Sequence, residues 1–304
     1  MTTIDTTIRI GDLTLKNPVL TASGTFGYGL EYDDFFDVAE LGGICTKGLS
    51  LHPRPGNAPQ RICETPAGML NAIGLANVGV EAFCTEKLPK LRARGVTVIA
   101  NIFATSIEDF VALARRLDRE EGVHAIELNV SCPNVDKGGI EFGVDPKQCA
   151  AVTEAVKKAT RLPVWVKMSP ESSIKAVARA CEEAGADALT AINTIRGLSI
   201  DSETWKPRIF NKTGGLSGPA LKPIALRMVW EIAREVKIPV IGIGGVATAT
   251  DAVEFLLAGA SAVQVGTASF ADPSAAKKVA DGLVAYCERK GIRAVRDLVG
   301  KFAI

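Results

Sequence analysis

The chain has few of the residues that build metal sites. Its seven cysteines are scattered, without a C-x-x-C pair, at positions 45, 63, 84, 132, 149, 181 and 287. His52 and His124 are its two histidines. Zinc and iron–sulfur sites need several thiolates, or thiolates with histidines, at clustered spacings. We therefore expect no metal on this chain, reduced thiols, and no Ser-His-Asp mechanism.

Net charge and long apolar runs are also missing. Lys and Arg total 35 against 34 for Asp and Glu, a formal net charge of +1, so no global field favours nucleic acid or anionic membranes. No apolar stretch approaches the roughly eighteen residues of a membrane span, and residues 1–5 do not begin a secretion signal. We expect a cytoplasmic protein that binds neither nucleic acid nor a membrane.

The sequence shows no obvious division into parts. Its 304 residues contain no Pro/Ser-rich linker and no low-complexity tract. A chain of this length can form one large domain that buries roughly three quarters of its unfolded surface. We therefore expect a single domain over residues 1–304.

Short apolar strands alternate with amphipathic helices along the chain. The predicted strands are residues 18–24, 42–48, 97–104, 125–131, 163–169, 188–194, 239–245 and 262–268. Eight such units predict an α/β fold of the TIM (β/α)8 barrel type. A doubly wound open sheet is the alternative, but its G-x-G-x-x-G fingerprint is missing, since residues 242–245 read Gly-Ile-Gly-Gly.

Three further segments frame this barrel. Residues 7–15 alternate around Gly11 and Asp12, which predicts a β-hairpin that closes the bottom of the barrel. Residues 49–79 and 195–223, after the second and sixth strands, are too long to be plain connections. Because active sites of such barrels lie at the carboxyl ends of the strands, we expect both long loops to roof the active site.

Polar side chains stand where the first six predicted strands end. They are Ser23, Lys47, Asn101, Asn129, Lys167, Asn193 and Thr194. Burying a lysine or an amide without a partner costs on the order of several kcal/mol. Their convergence on one mouth therefore predicts a bound polar molecule.

The seventh and eighth strands end in glycines, at Gly244-Gly245 and Gly266-Thr267. Glycine lets the backbone approach an anion, and barrels commonly hold phosphate at this place. A phosphate-bearing cofactor with a hydrogen-bonding ring would match these residues, and flavin mononucleotide (FMN) matches them better than pyridoxal phosphate. Lys47 and Lys167 keep the second cofactor open, because either could form its Schiff base.

Residues 127–134 place an amide and a thiol at the exit of the fourth strand. Asn129 and Cys132 there indicate either a catalytic strand end or an ordinary one with an inert cysteine. These residues alone leave both interpretations open.

Taken together, these motifs resemble the class 1 dihydroorotate dehydrogenases over nearly the whole chain. The matching motifs are residues 22–24 (ASG), 46–48 (TKG), 71–75 (NAIGL), 129–134 (NVSCPN), 166–170 (VKMSP), 192–194 (INT), 214–218 (GGLSG), 242–245 (GIGG) and 265–267 (VGT). The resemblance implies FMN-dependent oxidation of (S)-dihydroorotate to orotate in de novo pyrimidine (UMP) biosynthesis. It also implies that Cys132 removes the C5 proton while hydride passes from C6 to N5 of FMN.

The same resemblance implies a set of binding residues. Substrate contacts are expected from Lys47, Asn71, Ala72, Ile73, Gly74, Leu75, Asn129, Asn193 and Thr194. FMN contacts are expected from Ser23, Lys47, Gly48, Asn101, Asn129, Lys167, Ile192, Gly218, Gly244, Gly245, Gly266 and Thr267. Residues 135–143, which carry the adjacent glycines Gly138 and Gly139, predict a mobile lid over the substrate.

The Gly-Gly-x-x-Phe-Gly form of residues 138–143 resembles subclass 1B. In that subclass the catalytic subunit pairs with a second subunit, which carries FAD and a 2Fe–2S cluster and passes electrons to NAD. This implies a homodimer core within a heterotetramer. The alternatives are a subclass 1A homodimer that reduces fumarate, a related FMN barrel of the dihydropyrimidine or dihydrouridine type, and a catalytically silent FMN-binding subunit that only relays electrons.

Overall fold

The computed structural model describes residues 4–131, 133–134 and 140–303. Its strands in chain order are β1 (Ile8–Ile10), β2 (Leu13–Leu15), β3 (Val19–Thr21), β4 (Gly43–Cys45), β5 (Ile62–Thr65), β6 (Gly68–Asn71), β7 (Val98–Ile102), β8 (Ala125–Asn129), β9 (Pro133–Asn134), β10 (Ile140–Glu141), β11 (Val164–Lys167), β12 (Ala188–Ala191), β13 (Ile195–Leu198), β14 (Ile200–Asp201), β15 (Lys206–Pro207), β16 (Thr213–Ser217), β17 (Val240–Ile243) and β18 (Ala262–Val265).

Eight of these strands close into a parallel barrel. Their order around it is β3-β4-β7-β8-β11-β12-β17-β18, and β18 pairs with β3 to complete the ring. Each barrel strand lies inside one of the eight predicted segments, so the TIM barrel prediction is confirmed and the open-sheet alternative is wrong. Helices outside the ring and side chains inside it bury both faces, as in Val98–Ile102, where every residue is buried.

Helices follow the barrel strands and pack around them. They are α1 (Val80–Ala82), a π-helical segment (Phe83–Lys87), α2 (Leu88–Ala93), α3 (Ile107–Leu117), α4 (Pro146–Ala159), α5 (Ile174–Glu183), α6 (Lys222–Ala233), α7 (Ala249–Leu257), α8 (Ala268–Ala271) and α9 (Ala275–Lys290). Short 3₁₀ turns lie at Leu30–Tyr32, Val38–Glu40, Pro219–Leu221 and Val295–Leu298. Within the described ranges, no helix combines the length and apolar character needed to cross a membrane.

The N-terminal hairpin closes the amino-terminal end of the barrel, as predicted. Strands β1 and β2 pair antiparallel, with Ile8 opposite Leu15. Ile10 and Leu15 are fully buried in a cluster with Trp165 and with residues at the beginnings of other barrel strands. Apolar contact of the hairpin with the strand beginnings therefore seals this end and leaves the opposite end for ligands.

The two long loops contain regular structure that the sequence pattern did not reveal. Strands β5 and β6 of the first loop join β16 and β13 of the second in a four-stranded antiparallel sheet, in the order β13-β16-β6-β5. Gly215 lies opposite Asn71 in this sheet. Ladder hydrogen bonds between the loops thus hold them together above the carboxyl ends of the barrel strands.

Candidate active site

A cleft of about 1590 Å³ opens at the carboxyl ends of the barrel strands. Every predicted binding residue lines it. These residues are Ser23, Lys47, Gly48, Asn71, Ala72, Ile73, Gly74, Leu75, Asn101, Asn129, Lys167, Ile192, Asn193, Thr194, Gly218, Gly244, Gly245, Gly266 and Thr267. Cys132 and most of the predicted lid lie outside the described residues. Segments far apart in sequence therefore meet in one concave site of the kind that binds small molecules.

Amides from two strand ends form the polar centre of the cleft. The Asn193 Nδ2 group, just beyond β12, donates to Asn129 Oδ1 at 3.3 Å and to Ser131 Oγ at 3.0 Å. Asn193 Oδ1 accepts a 2.8 Å hydrogen bond from the backbone N–H of Thr194. These bonds fix the side-chain orientations, so the amide edges are preorganised for a planar polar ligand.

The segment after β6 forms one wall of the cleft, and Asn57 shapes it. Asn57 Nδ2 donates to Ala72 O at 2.9 Å, and the Asn57 backbone N–H donates to Ile73 O at 3.0 Å. Gly74 adopts φ of +74°, and a Cβ there would stand 2.5 Å from the Asn57 backbone nitrogen. Only glycine therefore fits this turn. Asn71 precedes it on β6 and donates from Nδ2 to Gly215 O at 3.3 Å on the paired strand β16.

Two lysines give the cleft positive charge. Lys167 closes β11 and is only 5% exposed, while Lys47 is half-buried just after β4. Burial, and then the nearby charge of Arg61, lower the pKa of the Lys47 ammonium. Both lysines would be stabilised by an anionic or electron-rich ligand, because desolvated cations need a counter-charge.

Glycines form a cradle where β17 ends. Gly244 and Gly245 have φ of +130° and +76°, and Gly218 has φ of +94°. A Cβ at Gly245 would stand 2.7 Å from Lys222 Cβ and 2.9 Å from Gly218 O. Bare backbone thus faces the cleft at the end of the seventh barrel strand, with Gly266 and Thr267 beside it at the end of the eighth. This arrangement is suited to a phosphate group.

Three residues just below the cleft, Cys45, Glu127 and Gln264, were not assigned a role from the sequence. Glu127 is fully buried on β8 and bonds to Cys45, Asn101 and Gln264. The sequence does contain a signal for Glu127, because it is a carboxylate inside an apolar strand. It stands two residues before Asn129, so both side chains lie on the same side of the strand. Across the described part of the chain, no group of three or more His, Cys, Asp or Glu residues could hold a metal ion.

Comparison with known proteins decides the family. The family model described as Dihydroorotate dehydrogenase matches residues 6–286. The chain belongs to the dihydroorotate dehydrogenase family. Members of this family named "Dihydroorotate dehydrogenase B (NAD(+)), catalytic subunit" are similar to it over nearly their full length.

Three of these relatives show the extent of the similarity. The protein of Geotalea uraniireducens (strain Rf4) is 53% identical over 297 residues, which are 97% of both chains. That of Pelobacter propionicus (strain DSM 2379 / NBRC 103807 / OttBd1) is 54% identical over 297 residues, 97% of this chain and 98% of its own. That of Geobacter sulfurreducens (strain ATCC 51573 / DSM 12127 / PCA) is 53% identical over 301 residues, 99% of both chains. The predicted resemblance to class 1, subclass 1B, is confirmed.

Proposed function

We propose that this chain is the FMN-dependent catalytic subunit of a dihydroorotate dehydrogenase, which oxidises (S)-dihydroorotate to orotate in de novo pyrimidine biosynthesis. The observation that carries the proposal is the single cleft lined by every described residue expected to bind substrate or flavin. The names of the relatives support the same reaction. We further propose that residues 1–304 act as one FMN-binding domain.

The cleft residues match the chemical groups of FMN. The backbone at Gly218, Gly244, Gly245 and Gly266 would hold the phosphate, and Lys167 with Asn101 would approach the ring. Bound FMN would supply the hydride acceptor. Lys47 would stabilise negative charge near the ring, because its ammonium is desolvated and has a repulsive neighbour in Arg61.

The remaining amides would bind the pyrimidine. Asn71, Asn129 and Asn193 present donor and acceptor groups of the type that pairs with the edges of a cyclic imide. The Asn129–Asn193 hydrogen bond holds two of these amides in place before substrate enters. Lys47 would pair with the substrate carboxylate, so an uncharged pyrimidine would bind less tightly.

Cys132 would act as the general base. An ordinary thiol ionises at about pH 8.5, and a positively charged site increases the thiolate fraction at neutral pH. The C5 proton is acidified by the adjacent carbonyl of the substrate, so a thiolate is basic enough to remove it. The lid at residues 135–143 would exclude water while the proton and hydride leave.

The reductive half-reaction tests this proposal. Purified protein with bound flavin is mixed anaerobically with dihydroorotate, and the visible flavin band is followed. We expect the band to bleach as orotate forms. An unchanged spectrum would contradict the proposed activity and would favour a subunit that only relays electrons.

We also propose an assembly and an electron acceptor. Electrons would pass to a partner subunit carrying FAD and a 2Fe–2S cluster, and then to NAD, in a cytoplasmic heterotetramer built on a homodimer of this chain. The relatives' names, which include NAD(+) and "catalytic subunit", support a partner. Exposed apolar side chains in the second long loop, Leu198, Ile200, Trp205 and Phe210, support a protein contact there.

Co-expression of this chain with its partner subunit tests the electron acceptor. We expect the two to purify together and to reduce NAD with dihydroorotate. Fumarate reduction by this chain alone would instead indicate the subclass 1A reaction.

A further inference from the structure

A buried carboxylate lies directly beneath the cleft. Glu127 on β8 is 0% exposed and accepts three hydrogen bonds. Oε1 accepts from Cys45 Sγ at 3.1 Å and from Asn101 Nδ2 at 2.7 Å, and Oε2 accepts from Gln264 Nε2 at 2.8 Å. We call these four residues the Glu127 cluster. It links β4, β7, β8 and β18 across the interior of the barrel.

The Glu127 cluster forms a layer of side chains immediately below the cleft. Side chains two residues apart on a strand point to the same side. Three members of the cluster each precede a cleft residue by two positions. Cys45 precedes Lys47, Glu127 precedes Asn129, and Gln264 precedes Gly266. The fourth member, Asn101, lines the cleft itself. A substitution at Glu127 therefore alters the side chains that form the floor of the cleft.

Lys167 belongs to the same electrostatic neighbourhood. Burial and the Glu127 carboxylate raise the pKa of the Cys45 thiol well above its ordinary range, whereas the charge of Lys167 acts in the opposite direction. Both charges are thus close to one sulfur atom. Lys167 is itself buried at the end of β11, so a buried cation and a buried carboxylate both act on Cys45 beneath the cleft.

The amides of the cluster are held in one orientation. Because Asn101 and Gln264 donate their N–H groups to Glu127, their carbonyl oxygens turn away from it. Both oxygens are buried and accept no hydrogen bond from the described residues. Asn101 Oδ1 lies 3.0 Å from the place of a Cβ on Gly48, a residue of the cleft wall. An anion at Glu127 therefore fixes the orientation of both amides and keeps Asn101 Oδ1 beside the cleft wall.

We propose that Glu127 is a positioning residue that orients the Asn101 and Gln264 amides and lowers the reduction potential of flavin bound above it. This inference rests on the proposed function. Reduction places more negative charge on the flavin ring, and a fixed anion in the low-dielectric layer below opposes that charge.

The test compares flavin reduction potentials of the purified holoprotein and three variants. Glu127→Gln removes the charge at constant size, and Glu127→Asp keeps the charge but shortens the side chain. Thr190→Val is the matched control, because Thr190 is buried on β12, two residues before the cleft residue Ile192, and carries no charge. We expect a more positive potential for Glu127→Gln, and potentials near that of the wild type for Glu127→Asp and Thr190→Val.

The reduction potential reports the charge of Glu127, whereas the melting temperature reports its packing. A structural role alone would lower the melting temperature of Glu127→Gln and Glu127→Asp alike and leave the potential unchanged. An unchanged potential in Glu127→Gln, or an equal shift in Glu127→Asp, would overturn the inference. Where Glu127→Gln fails to fold or retain flavin, Gln264→Lys decides. It replaces the amide that donates to Oε2 at 2.8 Å by an ammonium, which would neutralise the carboxylate and should raise the potential. An unchanged potential in a flavin-loaded Gln264→Lys would then overturn the inference.

This experiment is independent of the reaction. Failure of wild-type flavin to bleach with dihydroorotate would contradict the proposed function alone. Normal bleaching with equal potentials in wild type and Glu127→Gln would contradict only the inference about Glu127.

Discussion

Cys132 is the residue on which the proposed proton transfer depends. We expect Cys132→Ala to retain FMN and to reduce it with dihydroorotate about 10² to 10⁴ times more slowly, the usual contribution of a general base. Cys132→Ser should be slow at neutral pH and faster at high pH, because a hydroxyl ionises less readily than a thiol. Stopped-flow absorbance of the flavin band measures both rates.

Cys63 provides the matched control for this experiment. It is half-buried on β5, lines the same cleft and has no proposed role. Cys63→Ala should therefore reduce flavin at the wild-type rate. Unimpaired reduction by Cys132→Ala would remove the thiol from the mechanism.

Lys47 makes ligand affinity depend on pH. Burial and Arg61 lower the pKa of its ammonium, so the cation that would bind the orotate carboxylate is lost at a lower pH than for an ordinary lysine. Orotate affinity should fall as pH rises through this lowered pKa. We expect Arg61→Gln to raise the pKa and shift the fall to higher pH, and Lys47→Met to weaken binding and remove the dependence. Titration of flavin absorbance with orotate across pH measures these effects, and identical profiles for wild type and Arg61→Gln would contradict the role of Arg61.

At the scale of elements, the loop after β17 tests the phosphate cradle. Gly245→Ala would force a Cβ to 2.9 Å from Gly218 O at φ of +76°, so the loop must shift. We expect FMN affinity of the apoprotein to fall by about tenfold or more, equivalent to ~1.4 kcal/mol. Quenching of FMN fluorescence on binding measures the dissociation constant.

Gly95→Ala separates this close approach from the cost of the backbone conformation. Gly95 also has positive φ, +68°, but nothing lies within 4 Å of its added Cβ. Gly95→Ala should lower the free energy of unfolding by about 1–2 kcal/mol, because alanine is disfavoured in the left-handed conformation, and it should leave FMN affinity unchanged. Equal FMN affinities for the two variants would show that the cradle does not bind phosphate.

The start of α7 is a second element with a clear energetic role. Thr248 Oγ1 accepts from the Asp251 backbone N–H at 3.3 Å, and the Asp251 carboxylate accepts from the Thr248 backbone N–H at 2.8 Å. Thr248→Ala removes half of this capping box and should cost about 1 kcal/mol of unfolding free energy. Urea denaturation followed by circular dichroism measures this cost.

Thr85 is the control for loss of a threonine hydroxyl. It is exposed within a helical segment, and its Oγ1 donates only to Glu81 O one turn earlier, at 2.9 Å. Thr85→Ala should change stability by less than about 0.5 kcal/mol, because such bonds compete with the helix rather than cap it. A loss as large as that of Thr248→Ala would count against the capping argument.

At the scale of the whole molecule, Trp205 tests the proposed assembly. It is 87% exposed between β14 and β15, on the loop that covers the cleft end of the barrel. If this surface contacts another subunit, Trp205→Ser should weaken the assembly by about thirtyfold, equivalent to ~2 kcal/mol. Sedimentation velocity over a concentration series measures the change.

Phe302→Ser is the control on the opposite end of the barrel. Phe302 is 57% exposed and its backbone N–H bonds to Leu257 O at the end of α7, away from the cleft. We expect the Phe302→Ser variant to assemble as the wild type does. Wild-type assembly of Trp205→Ser would place the contact elsewhere on the surface.

The sequence by itself predicted much of the fold and of the candidate site. Strand periodicity is local, so the eight barrel strands and the N-terminal hairpin could be located without coordinates. Polar residues and glycines at strand ends were informative because a parallel barrel brings all carboxyl ends to one face. The motif at Asn129 and Cys132 left its role open when taken alone, and the resemblance to the family rested on nine motifs along the chain.

Tertiary structure alone decided the contacts between distant segments. The pairing of Asn71 with Gly215 joins two loops that are separated in the chain by four of the eight barrel strands, and no local sequence pattern predicts it. The three hydrogen bonds to Glu127 and the charge of Arg61 near Lys47 likewise depend on how the strands close and stagger. Hydrogen bonds and Coulomb interactions act between atoms a few ångströms apart, and only the closed barrel brings those atoms together.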